Sequence, residues 1–214
     1  ITDQKKCYLD IACGLQKSSW RKEAFTTMEV AMLLSKDQMR KIETLHKDLA
    51  KQTHDHYTDH CGVVADSDIA FVDQTTFGEI IQSLGDRTVS YTFTLAPLGP
   101  VVISYSLPIA YALIEYALGS KPDGDLNEAE REGMDKIFKR DLQNIESMWG
   151  SIVSVKGEDA QLETNPNALE DVLARPTTTN LIAFEIHLPH ASGLVEFSYP
   201  IHETLETIIP KLSN

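Results

Sequence analysis

The chain has 214 residues, 42% of them hydrophobic and 24% charged, values of an ordinary folded globular protein that exclude a disordered or fibrous one. Nineteen basic residues against 32 acidic give a formal charge of −13, and no Lys/Arg run exists to follow a phosphate backbone, so nucleic acid is excluded as an expected partner. Cys7, Cys13 and Cys61 form no CxxC pair and are too few for a disulfide framework, which fits a reducing compartment.

Residues 1–33 carry no signal-peptide pattern and read as a partly helical N-terminal extension or linker helix. The first strong element is a long helix over about 35–61. Ser35 is its N-cap and Gln38, three residues on, completes a capping box. Met39, Ile42, Leu45 and Leu49 follow at helical spacing and predict a core-facing stripe. The extended segment "VVADSDIAFVDQ" comes next, then a short helix over about 75–84 ended by Gly85. "TVSYTFTLAP" and "PVVISYS" alternate apolar and polar residues around a tight turn, the pattern of a hairpin. Pro108 then opens a helix, "PIAYALIEYAL", too short to span a membrane and interrupted by Glu115.

The same order recurs 92 residues later. Asn127 and Glu130 repeat the capping box, and Met134, Ile137, Phe138 and Leu142 repeat the stripe on a helix over about 127–149. An extended segment, a short helix over about 167–174 ended by Pro176, a hairpin ("TNLIAFEIHLP" with "SGLVEFSYP") and a last helix opened by Pro200 complete the set. Lys47 and Lys139, Pro97 and Pro189, Pro108 and Pro200, Leu113 and Leu205 hold one offset. A repeat kept across caps, turns and core positions implies duplication. The expected fold is α/β: a pseudo-twofold αβαββα unit used twice, residues 34–119 and 126–212, with a single sheet flanked by helices.

Two stretches invite chemistry. "HDHYTDHC" (54–61) places His56 and His60 four residues apart, able in principle to chelate one metal. However, continuing the stripe to 52, 53, 56 and 60 matches them with Asn144, Ile145, Met148 and Ile152, so the repeat favours two core-facing or interface histidines. "DLQN" sets Asp141 and Asn144 on one helix face, where a carboxylate and an amide could orient a water toward a phosphoryl group. The plainer reading is a polar helix face. No nucleophile elbow, phosphate loop, dinucleotide fingerprint or HExxH pair occurs, and neither cofactor nor metal is expected.

The duplication, with "LSKDQMRKIETLHKDLAK", "VDQTTFGEIIQSL", "LAPLGPVVISYSLPIAYALIEYALG", "LNEAEREGMDKIFKRDLQNIESMWG", "ETNP" and "AFEIHLPHASGLVEFSYPIHETLETIIPKL", resembles the middle domain of the flagellar motor switch family FliM, a relative of CheC and CheX. The matching stretches run in family order from about 34 to 212. The resemblance implies a non-enzymatic structural and interaction subunit of the cytoplasmic switch ring. It would bind FliG and neighbouring FliM subunits, lie against the membrane only through the motor basal body, and relay the CheY signal that changes rotation in chemotaxis.

In the family a Gly-Gly-x-Gly type loop touches FliG. Here "LGSKPDGDL" puts Gly119, Ser120, Lys121, Pro122, Asp123 and Gly124 in that place, with Ser120 for the second glycine and altered spacing. FliN and CheY would be met through an N-terminal peptide and a FliN-like all-β domain, neither recognisable in this chain. The alternative is a CheC-like phosphatase of phosphorylated CheY using Asp141 and Asn144. The phosphatase pattern is broken in both halves: Asp141 stands where Glu is expected and Ile137 where an acid or serine belongs, with Leu49 and Gln52 on the first helix.

Overall fold

A computed structural model describes residues 33–201 and Ile208. The two capping boxes act as read. Ser35 caps helix α1 (Lys36–Cys61) and Asn127 caps the other long helix, and in each the side chain three residues on answers the cap backbone. Between them lie β1 (Asp66–Thr76), α2 (Phe77–Ser83), β2 (Val89–Ala96), β3 (Gly99–Tyr105) and α3 (Leu107–Leu118). The second half runs α4 (Glu128–Gly150), β4 (Lys156–Glu163), β5 (Thr178–Leu188) and β6 (Ala191–Pro200). The short helix expected over 167–174 is instead a 3-10 turn, Pro166–Asp171. Six residues are too few to repay α-nucleation, whereas the tighter i to i+3 bonds close within so short a piece. The helix expected after Pro200 and the extension 1–33 lie, apart from Ile208 and Leu33, outside the described residues.

All six strands form one antiparallel sheet in the order β1-β5-β6-β3-β2-β4. The order reads the same from both ends: the two hairpins meet at β3 and β6, and each half sends its first strand to the other half's hairpin. Thus β1 pairs with β5 and β4 with β2. A sheet face of either half is therefore incomplete without the other. Both edge strands carry an irregularity in register, at Ile69/Phe71 and opposite Thr92/Thr94, a device that discourages edge-to-edge pairing.

Strand alternation sorts the core. Tyr91, Phe93, Leu95, Val101, Ile103, Phe184, Ile186, Val195 and Phe197 point to the face covered by α1, α3 and α4, where Ile42, Leu49, Ile137, Phe138 and Trp149 meet them. The other face holds a smaller cluster, with Phe77, Ile80, Ile81 and Leu169 over Val102 and Leu181. Alternate residues on the central strands are thus buried on both sides, as the hydrophobic density of the hairpins requires. Among the described residues no helix is long and apolar enough to cross a membrane.

Candidate functional site

The loop that leaves α3 is built to project. Gly119 ends the helix in the left-handed region (φ 73°), its N–H bonding to the Glu115 carbonyl, a cap that only glycine adopts without strain. Gly119, Ser120, Lys121 and Asp123 are exposed, whereas Pro122 is buried and pins the middle of the loop. The far end is tied by the Tyr111 hydroxyl, which donates to the Gly124 carbonyl at 2.6 Å. Beneath the loop lies a groove of about 420 Å3 between α3 and the β5–β6 turn, lined by Val63, Ala112, Tyr116 and Pro189 and edged by Glu115, Lys121 and His190. The result is a braced, solvent-facing knuckle with apolar ground beside it, suited to touching another protein.

Asp141 is placed very differently. It is 3% exposed on the sheet-facing side of α4. Its carboxylate accepts from His56 Nδ1 at 2.9 Å, from the Tyr57 hydroxyl at 3.0 Å and from the Tyr105 hydroxyl at 2.7 Å. One buried charge thereby holds α1, α4 and β3 together. Burial first, and the neighbouring carboxylate second, push both phenols well above their ordinary ionisation range, so they stay neutral and keep the protons they donate to Asp141. Asn144, one turn on, is 8% exposed, and its Nδ2 has no hydrogen-bond partner among the described residues. The pair shares a helix face as the spacing implied, but that face looks into the core. A carboxylate committed to three donors has no free reach to a phosphoryl group.

The two histidines lie at the edge of the buried line rather than on it. That line passes through His46, Leu49, Ala50, Thr53, Tyr57 and Cys61; of the register extrapolated through 52, 53, 56 and 60 it keeps Thr53, and elsewhere it runs one residue on. The helix turns Tyr57, twin of Trp149, fully inward, and both are buried to 1% or less. His56 faces Asp141, and His60 Nε2 donates to the Leu113 carbonyl on α3 at 3.0 Å. The rings are 6.2 Å apart, each with a nitrogen already engaged. Among the described residues no three His, Cys, Asp or Glu side chains gather as a metal site.

Tyr57 and Tyr105 escaped the sequence reading, although an acid on the apolar stripe of α4, opposite Leu49 in the repeat, was a signal that buried donors must exist. His46 escaped it as well. It is fully buried and faces Trp149, Phe197 and Tyr199. Its Nδ1 donates to the Ile42 carbonyl at 2.8 Å, which leaves Nε2 to accept from the Tyr199 hydroxyl at 3.4 Å. Burial holds its pKa down at about 4, against the usual 6.5.

The family described as flagellar motor switch protein FliM matches residues 35–214. The flagellar motor switch protein FliM of Bacillus subtilis (strain 168) is 27% identical over 190 residues, 86% of this chain and 56% of that protein. The chain therefore spans just over half the length of this curated relative. Among solved structures, the FliM middle domain from H. pylori superposes with a TM-score of 0.76 at 24% identity, covering 83% of this chain and 99% of that one. A chain of a FliG–FliM complex from H. pylori gives 0.75 at 23%, covering 83% and 100%.

Proposed function

Because the chain belongs to the family of the flagellar motor switch protein FliM, we propose that it is a structural and interaction subunit of the motor switch complex, and not an enzyme. The loop Gly119–Gly124 is its contact with FliG, and neighbouring FliM subunits pack beside it. FliN and CheY engage regions outside the matched domain, and the protein works in the cytoplasm, at the face of the basal body. The observation that carries this reading is the contrast between two places. The exposed knuckle at 119–124 is braced by Pro122 and by the Tyr111–Gly124 bond, whereas the Asp141–Asn144 pair that phosphatase work would need is buried, with Asp141 bound to three donors.

A switching subunit needs interfaces with two packings of similar energy. A domain whose halves share one sheet and one buried carboxylate moves as a rigid body, so the change falls on its contacts. Pull-down against FliG tests this directly. Replacing Ser120, Lys121 and Asp123 by alanine should abolish retention while leaving the fold intact, and undiminished FliG binding would remove the assignment. A phosphate-release assay with phosphorylated CheY should show no turnover; turnover that disappears in Asn144→Ala would establish the phosphatase alternative.

A further inference from the structure

The face of the sheet opposite the long helices carries a cavity of about 530 Å3, between the α2–β2 connection, the start of α3, and β6. Two opposite charges line it. Arg87 is exposed and Glu196 half-buried, and neither has a hydrogen bond or ion pair among the described residues. Burial raises the Glu196 carboxyl above the ordinary carboxylate range, the mark of a charge whose lost water has no cation in exchange.

Between the charges runs a chain of hydroxyls. Thr88 Oγ1 lies 2.6 Å from Ser90 Oγ, and Ser90 Oγ 2.9 Å from Ser104 Oγ. Ser104 pairs across the sheet with Glu196. Ser90 is fully buried with no other partner for its proton, so it accepts from one neighbour and donates to the other. The chain then presents an acceptor at one end and a donor at the other, and both ends, Thr88 and Ser104, line the cavity. Leu84 and Leu194 supply apolar wall beside them.

We propose that this cavity binds a small zwitterion of amino-acid or dipeptide size, with its carboxylate on Arg87 and its ammonium on Glu196. The volume falls within the roughly 300–1,000 Å3 of small-molecule sites. A planar guanidinium suits a carboxylate, and a half-buried carboxylate suits an ammonium, each as a charge-assisted hydrogen bond. A simple anion would leave the half-buried Glu196 uncompensated, and a simple cation would make no use of the Arg87 fork at the other side of the cavity. The site is independent of the FliG loop in its chemistry yet abuts it: Arg87 Nη1 lies 3.9 Å from where a Cβ on Gly124 would stand.

The test is an NMR titration of the 15N-labelled 214-residue chain with glycine and glycylglycine, using acetate, methylamine and glycylglycine amide as probes carrying one charge only. Saturable shifts at the Thr88, Ser104 and Leu194 amides are expected with the zwitterions. Loss of one charged contact, by Arg87→Gln, by Glu196→Gln or by amidating the dipeptide, should weaken binding about tenfold or more. The amide comparison uses the parent protein, so it stands even if a variant folds poorly. No saturable shift, equal binding of a singly charged probe, or binding unchanged in both variants would overturn the proposal.

Discussion

Tyr57 and Tyr105 donate their hydroxyl protons to the same atom, Asp141 Oδ2, at 3.0 and 2.7 Å. One phenol comes from a long helix of the first half and the other from a central strand. The acid that joins them sits where the repeat has Leu49, itself 1% exposed. The duplicated halves thus differ at their centre, with hydrocarbon at Leu49 and a hydrogen-bonded carboxylate at Asp141.

Removing the acceptor should therefore cost more than removing the cluster. Asp141→Leu restores the hydrocarbon of the twin position but strands two buried phenols, at about 1–3 kcal/mol for each unsatisfied group. Adding Tyr57→Phe and Tyr105→Phe removes those donors, and the triple variant should recover most of the loss. Urea midpoints of the single and triple variants check this; a triple variant less stable than Asp141→Leu alone would contradict it.

His46 makes stability acid-sensitive. Its folded pKa of about 4 lies below the usual 6.5, so the unfolded chain takes up a proton that the folded one refuses. Its stabilising share is complete above about pH 6.5 and is lost as pH falls toward 4, amounting to about 2 kcal/mol by pH 5. His46→Phe copies Phe138 of the twin helix and should flatten this part of the profile. Denaturant midpoints at pH 7.5 and 5 for both proteins measure it, and an equal drop in the two would sink the assignment.

What could be read from the chain beforehand was mostly local. Capping boxes at Ser35 and Asn127, the hairpins and the glycine that stops α3 depend on residues within a few positions of one another. The 92-residue offset carried those signals twice and made the duplication legible. The exchange of edge strands was not legible, because β1 meets β5 more than a hundred residues away and alternation names no partner. Nor was the role of Asp141, whose phenol donors lie 84 and 36 residues distant. The resemblance located the 119–124 loop, but the buried brace at Pro122 emerged only with the packing.

The exchanged strands predict that neither half folds alone. A fragment 34–119 would expose the β2 edge that β4 covers and leave β1 without β5; a fragment 126–214 would have the converse defect. Circular dichroism should show each isolated fragment unfolded and an equimolar mixture regaining structure. Cooperative melting of one fragment by itself would contradict the shared sheet.

Gly124 separates the shape of the 119–124 loop from its chemistry, and so tests the proposed FliG contact. Its φ of 97° is one that a side chain adopts only with strain, while its surroundings leave room for a Cβ. Gly124→Ala should therefore destabilise by about 1–2 kcal/mol through the backbone alone. Tyr111→Phe should cut the bond to the Gly124 carbonyl at about 1 kcal/mol, and both sites lie outside the exposed tip. If FliG grips a preformed knuckle, each variant should weaken FliG binding several-fold although Ser120, Lys121 and Asp123 are untouched. Binding isotherms for the two variants, beside their unfolding midpoints, decide it. Full affinity in both would mean that FliG reads the tip residues irrespective of the brace.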